Sequence, residues 1–326
     1  MKKLCAWSLV LLTTLAGANP TDFPIKDKPI TIIVPFAAGG PTDRVARDLA
    51  EAMRKPLGAN LVIENVVGAG GTIAANKVAK SSQDGYTLLL HHIGMATAPA
   101  LYRKMPYSAL DDFEYLGVVN DVPMTLIGRP TLPATNFKEL QGWINQNKVS
   151  VNLGNAGLGA ASHLCGLLFQ SALKIDMTTV PYKGTAPAMN DLMGGQIDLL
   201  CDQTTNTTTQ IEAKTVKAFA VTTLKRLTIP ALKNLPTLDE SGLKGFEVSI
   251  WHALYAPKGT PSEVVAKINK ALKLALKDPE FVKKEQSLGA VVVADKRTDP
   301  VEHKKFVAAE IAKWGPIIQA SGVYAD

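Results

Sequence analysis

Three stretches of the chain set glycines between a β-branched apolar run and a helix-patterned segment. The first, ITIIVPFAAGGPTDRVARDLAEAMR (30–54), opens with Ile30-Thr31-Ile32-Ile33-Val34, a run suited to a strand buried on both faces. Pro35 cannot donate to a sheet ladder and ends it. Gly39-Gly40 then turn the chain, Thr42 and Asp43 offer capping oxygens, and Val45, Leu49 and Met53 recur at helical spacing. The second stretch, NVVGAGGTIAANKV (65–78), follows Leu61-Val62-Ile63 and places Gly68, Gly70 and Gly71 ahead of a helical pattern. The third, NLGNAGLGAASHLCGLLF (152–169), follows Val149-Ser150-Val151 and places Gly154, Gly157 and Gly159 before Ser162 and the apolar face of Leu164, Leu167 and Leu168. A helix N-terminus gathers unpaired N–H groups and the positive end of the macrodipole, so its chemistry is the holding of a small anion. One such junction reads equally well as an ordinary βα turn; three together point to a cleft. Arg44 is the one arginine beside a junction, and it lies inside the helix, so main-chain amides rather than side-chain charge should do the holding.

Other residue types point elsewhere or nowhere. His91 and His92 end the strand-like run Tyr86–Leu90, which follows the turn Asp84-Gly85, and open α/β sheets place ligands at such ends. Adjacent strand residues face opposite ways, so at most one of the pair looks into a cleft, and the two cannot easily share a metal ion. Asp202 follows the apolar run Ile197–Cys201; it could accept a hydrogen bond from a ligand amine, and solvation at the strand end is the plainer reading. Cys165 and Cys201 sit in apolar patterns and read as two buried free thiols, while an oxidising compartment would permit a bridge that spacing cannot show. There is no CxxC and no cysteine–histidine cluster, so no metal is expected. Gly68-x-Gly70 is a partial dinucleotide fingerprint with Ile73 where the third glycine belongs. Ser162 and His163 are helix neighbours that diverge, and no GxSxG elbow occurs. Neither an enzyme nor a cofactor follows from these residues.

The elements that would position the junctions alternate as βαβα along 326 residues, enough for two domains. Lys2, Lys3, the apolar run Leu4–Leu15 and Ala16-Gly17-Ala18 read as an export signal, 1–18, too short for the roughly 20 apolar residues that span a bilayer. With no cysteine at the cleavage point, the expected compartment is the periplasm. The net charge of +6 is scattered, without the basic stripe and interleaved aromatics of a nucleic-acid binder. Tyr115–Val119 and Met124–Gly128 read as strands interrupted by Asn120-Asp121-Val122-Pro123. Asn136 should cap a helix through Asn147. Met177–Tyr182 reads as a strand, Lys183–Pro187 as a turn, Ala188–Met193 as a short helix and Asp202–Asn206 as a polar loop. Val216–Thr222 and Trp251–Ala256 read as strands, and Pro261 opens a helix with the stripe Val264, Ile268, Ala271, Leu272 and Ala275. A further helix begins at Asp278-Pro279, a short strand spans Ala290–Val293, and Pro300–Ala320 is the last helix.

VPFAAGGPTDRVAR, NVVGAGGTIAA, DGYTLL, GNAGLGAASHL, VPYKGTAPAMNDLMGGQIDLL and YAPKGTPSEVVAKIN occur in this order over nearly the whole chain after the export signal. Together they resemble the Bug family, the periplasmic solute receptors of tripartite tricarboxylate transporters. HHIGMATAPALYRKMPY, GVVNDVPMTLIGRP and LCDQTTNTTTQIEA look most like aspartate- and C4-dicarboxylate-type members. The resemblance implies an α/β, two-domain periplasmic-binding-protein fold (type II-like) with two crossovers and a ligand cleft between domains, closing as a hinged clamp. One domain would comprise 19–122 and 226–326, the other 123–225, with crossings near Asn120–Arg129 and Val221–Leu227. It also implies a monomer that holds a C4-dicarboxylate such as malate, succinate or aspartate with backbone amides and waters. The partner would be a transporter of one large and one small integral membrane subunit. Carried onto this chain, one wall is Phe36, Ala37, Ala38, Gly39 and Gly40 with Thr42 and Asp43, joined by Ala69, Gly70 and Gly71. Facing it are Leu158, Gly159, Ala160 and Ser162, then Tyr182, Lys183, Gly184 and Thr185, with His92 and Asp202 at the strand ends. His252 departs from the pattern, standing where an apolar or aromatic residue is expected. The rival readings are a sensor that passes its ligand-closed form to a signalling partner and an exported enzyme using the same cleft.

Overall fold

β1 (Ile30–Val34) is buried on both faces, as its composition requires. The structure, a computed structural model, describes residues 23–320 and 322–325; the expected export signal and Cys5 lie outside them. Ile30, Ile32 and Val34 share a core with Val45, Leu49 and Met53 of α1 (Pro41–Leu57). Ile33, pointing the other way, joins Ala74 and Val78 of α2 (Thr72–Ala79). β2 (Leu61–Asn65) and β3 (Thr87–His92) flank β1 in parallel, and β9 (Ser249–Pro257) runs antiparallel between β3 and β4 (Phe113–Gly128). α3 (Gly94–Leu101) packs against α10 (Pro300–Ala320), while α8 (Ser262–Ala275) and α9 (Pro279–Ser287) pack on α1.

The second lobe repeats the arrangement. β7 (Leu199–Gln203) pairs with β4 and with β5 (Asn152–Asn155), which carries β6 (Thr178–Pro181) on its other side. β8 (Lys217–Val221) pairs with the C-terminal half of β4, and the two-residue β10 (Val291–Val292) with its middle, at Asn120 and Asp121. α4 (Phe137–Asn147), α5 (Ala161–Leu173), α6 (Thr185–Met193) and α7 (Thr204–Glu212) complete the lobe. Mixed sheets with helices packed on them, in two lobes, make the α/β two-domain architecture that the motifs implied.

The lobes are joined through β4. The expected interruption at Asn120–Pro123 does not occur: β4 runs unbroken for 16 residues, pairing with β9 up to Pro123 and with β7 from Met124. Pro123 lacks a donor, which argues against a central strand, but it pairs with Ser249 at the start of β9, where the ladder changes partner. The returning chain is fastened at the same height. Thr222 Oγ1 donates to Val248 C=O at 2.6 Å and accepts from Met124 N–H at 3.0 Å. Its N–H donates to Met124 C=O and its C=O accepts from Val248 N–H, each at 3.0 Å. One threonine therefore ties both crossing segments.

Other expectations change in detail. α1 is capped by Gly40 with no side-chain bond, so Thr42 and Asp43 do not cap it. α6 begins at Thr185, absorbing part of the expected turn. Asn136 does cap α4, accepting from Glu139 N–H. The residues expected as a polar loop, Asp202–Asn206, are instead the end of β7 and the first turn of α7. Low helix propensity hid it: β-branched threonines lose rotamer freedom in a helix. The cysteines are not free. Cys165 of α5 and Cys201 of β7 form a disulfide across 36 residues. Closing a loop of that length stabilises by about 2–4 kcal/mol in the chain-entropy account. Cys165→Ala with Cys201→Ala should lose that amount in denaturant unfolding; a loss below about 1 kcal/mol would show that the bond is not a structural tie.

Candidate functional site

The glycine junctions meet across the gap between lobes. Ala37 N–H donates to Lys183 C=O at 3.0 Å, Tyr102 Oη to Leu158 C=O at 2.9 Å and Thr97 Oγ1 to Gly159 C=O at 3.0 Å. These three bonds run from the β1–α1 loop and α3 to the β5–α5 and β6–α6 loops. Glycine is required where the main chains touch. A Cβ on Gly70 (φ +58°) would lie 1.9 Å from Leu158 O, and one on Gly184 (φ +143°) 2.8 Å from Ala37 N. Pro35, Phe36, Ala69, Tyr102, Leu158 and Tyr182 are among the residues lining a cavity of about 630 Å³ at this seam. Phe36–Gly40, Ala69–Gly71, Leu158–Ala160 and Tyr182–Thr185 are thus brought together. Thr97 and Tyr102, which the sequence reading did not single out, supply two of the three bonds.

Most loop amides are engaged within their own turns. Ala156 N–H donates to Ser162 Oγ at 2.8 Å, Gly157 N–H to Asn155 Oδ1 at 2.8 Å, Gly159 N–H to His163 Nδ1 at 3.3 Å and Ala160 N–H to Gly157 C=O at 3.0 Å. Ser162 therefore props the loop. The donors that remain by geometry are first-turn amides of α1, α5 and α6, which have no partner within a helix. Asp43 buttresses the other wall. Its Oδ2 accepts from Gly39 N–H and Arg47 Nε at 2.9 Å each; its Oδ1 accepts from Asn65 Nδ2 at 2.9 Å and an Arg47 terminal nitrogen at 3.0 Å. Burial alone would raise its pKa, but these hydrogen bonds from Arg47, Gly39 and Asn65 hold it below the usual value. Arg44 makes none of these bonds.

A further junction lacks glycine. β7 leads straight into α7, with Gln203 Oε1, Thr204 Oγ1 and Thr205 Oγ1 buried and without hydrogen-bond partners, and α7 packs against α1 of the other lobe. Buried unpaired polar atoms are costly, so this cluster is suited to a polar ligand. Its sequence signal was the unbroken polar run QTTNTTT directly after a buried strand.

His92 lies under Phe36, rings stacked 4.6 Å apart, and its Nδ1 accepts from Gly94 N–H at 2.9 Å. Burial pushes it down to about 3, and burial with the neighbouring imidazoles pushes His91 well below its usual value; both rings are neutral. Among the described residues no group of three or more His, Cys, Asp or Glu could hold a metal ion.

Asp202 is fully buried and accepts from Asn206 Nδ2 at 2.6 Å and Gln203 N–H at 2.8 Å. Burial pushes its carboxyl up to about 6 against those bonds. A folded pKa above the unfolded one gives stability present below the unfolded pKa, near 3.8, and lost as pH rises through the folded one. The stability of wild type relative to Asp202→Asn should therefore fall by about 3 kcal/mol between pH 3 and pH 8. Parallel unfolding curves at the two pH values would refute the raised pKa.

Comparison with known proteins places this geometry. Residues 45–323 match the family model TctC, described as the tripartite tricarboxylate transporter family receptor. A protein of Agrobacterium vitis from the TAR-I ttuE-ttuC' intergenic region is 50% identical over 96% of this chain and 90% of its own. The structure of periplasmic binding protein BugD is 51% identical, with a TM-score of 0.88 over 91% of this chain and 99% of that one. MatC from Rhodopseudomonas palustris, solved with bound malate, is 37% identical, with a TM-score of 0.86 over 91% and 100%. Matched by this family model and by these relatives over nearly all of its described residues, the chain belongs to the Bug family of tripartite tricarboxylate transporter receptors.

Proposed function

We propose that this chain captures a small organic dicarboxylate of C4 size, such as malate, succinate or aspartate, in the periplasm. It would deliver the ligand to a transporter of one large and one small integral membrane subunit, acting as a monomer. The observation that carries this reading is the seam of backbone contacts between lobes, flanked by first turns of α1, α5 and α6. An anion there meets amides and helix dipoles, each terminus contributing roughly 0.3–1 kcal/mol when exposed and up to about 2 when partly buried. The malate in MatC supports the ligand class. The unpaired Gln203, Thr204 and Thr205 favour a ligand with a polar far end.

We assign residues 19–122 and 226–326 to one body and 123–225 to the other, turning about the β4 crossing and Thr222. The ligand bridges the bodies, with Phe36–Gly40, Thr42 and Ala69–Gly71 on one side and Leu158–Ala160, Tyr182–Thr185 and Asp202 on the other. Asp43, Ser162 and His92 hold those walls in shape.

Two measurements test this. Thermal-shift titration with C3 to C6 dicarboxylates should single out C4 acids, since ligand at 100 times its dissociation constant adds about 2.7 kcal/mol. No shift with any of them would refute the ligand class. Gly70→Ala places a methyl group against Leu158 O only when the lobes meet. It should weaken binding at least about tenfold, or about 1.4 kcal/mol, while costing roughly 1 kcal/mol of fold stability. Wild-type affinity in that variant would mean that the ligand does not need the closed seam.

A further inference from the structure

His252 takes its place in a chain of buried side chains. Asn120 Nδ2 donates to Glu285 Oε2 at 2.6 Å, Asn120 Oδ1 lies 2.8 Å from His252 Nδ1, and His252 Nε2 lies 3.3 Å from Thr42 Oγ1. All four residues are at most 1% exposed, and Glu285 Oε1 has no hydrogen-bond partner. The chain links α9, the crossing strand β4, β9 and the first turn of α1. An amide oxygen only accepts, so Asn120 Oδ1 requires a proton on His252 Nδ1. The neutral ring then offers Nε2 as an acceptor, and the Thr42 hydroxyl donates to it. Every donor points toward Glu285, and Thr42 keeps only lone pairs for a ligand. That sense opposes a carboxylate.

We propose that Glu285, Asn120 and His252 form a positioning relay that sets the hydrogen-bonding sense of Thr42, and that one proton taken up by Glu285 reverses it. Protonated Glu285 donates to Asn120 Oδ1 once the amide has turned over. Asn120 Nδ2 then donates to a bare His252 Nδ1, the ring proton sits on Nε2 and points at Thr42 Oγ1, and the Thr42 proton is released toward the ligand. The protein gains one proton, on Glu285; the imidazole stays neutral and changes tautomer. The groups facing Glu285 are Asp48 and Arg44 from α1 and Lys284 from α9, with Lys284 and Asp48 paired; His92 of β3 faces His252. Burial pushes Glu285 up to about 7, against its bond from Asn120 and with Asp48 adding to the rise. Burial keeps His252 far below its usual value, so its ring carries no charge in this range.

The proposal rests on the carboxylate reading of the site only for its effect on binding, and its test has a separate arm for the relay itself. Ring-nitrogen NMR of the unliganded protein labelled at histidine, with His252 assigned through His252→Gln, should show a neutral ring throughout. The proton should sit on Nδ1 at high pH and Nε2 at low pH, changing over near pH 7. Glu285→Gln should hold one tautomer distribution at every pH. A wild-type tautomer that does not change between pH 5.5 and 8.5, or a change that persists in Glu285→Gln, overturns the relay. Should Glu285→Gln fail to fold, the wild-type spectra alone decide. In the binding arm, wild-type affinity for malate should be flat below the changeover and fall by up to about tenfold per pH unit above it, one proton being taken up per ligand. Glu285→Gln should bind malate without that slope. Malate affinity that is constant across the range overturns the coupling, whereas absence of malate binding at every pH rules out malate as the ligand and leaves the relay to the spectra.

Discussion

A main-chain hydrogen bond from Ala37 N–H to Lys183 C=O joins two loops that hang from different sheets. The rest of the architecture makes that contact possible. Both loops begin at the carboxyl end of a strand, β1 in one lobe and β6 in the other, and both end on a helix whose first-turn amides have no partner within the helix. For two backbones to come within hydrogen-bond reach there can be no side chain between them, and Gly184 and Gly70 leave that space. The requirement reaches back through Asp43, whose four hydrogen bonds fix the first loop, and through the Cys165–Cys201 bond, which ties the helix after the β5–α5 loop to the strand that leads into α7.

The energies suit a clamp better than a rigid body. Three hydrogen bonds across the seam, each worth about 0.5–1.5 kcal/mol net, give a preference of a few kcal/mol. A difference of that size can be shifted by a ligand that touches both lobes. A clamp would also require that the lobes turn without coming apart. β4 meets it by carrying hydrogen bonds to β9 on one side of Pro123 and to β7 on the other, while Thr222 keeps the returning chain at the same height. Rotation can then be absorbed by a few residues at element ends.

Much of this was legible in the sequence. The run Ile30–Val34 and the stripes of α1 and α8 located elements whose buried faces the structure reproduces, because burial on one or both faces leaves a periodic record. Three places were not legible, each for a physical reason. Pro123 reads as a break because its missing donor is normally fatal to a central strand; only the change of ladder partner at that residue excuses it. Thr204–Asn206, the end of the expected polar loop, open a helix instead: threonine is a poor helix former, yet tertiary packing against α1 overrides propensity. His252 reads as a misplaced polar residue because its partners, Asn120 and Thr42, lie 132 and 210 positions away. The disulfide was invisible for the same reason: spacing carries no information about which buried cysteines meet.

The central claim is that the ligand holds two bodies together at a backbone seam. Small-angle scattering of the protein with and without a saturating C4-dicarboxylate measures this most directly. The account predicts a smaller radius of gyration with ligand than without it. Proven binding with an unchanged radius of gyration would contradict it.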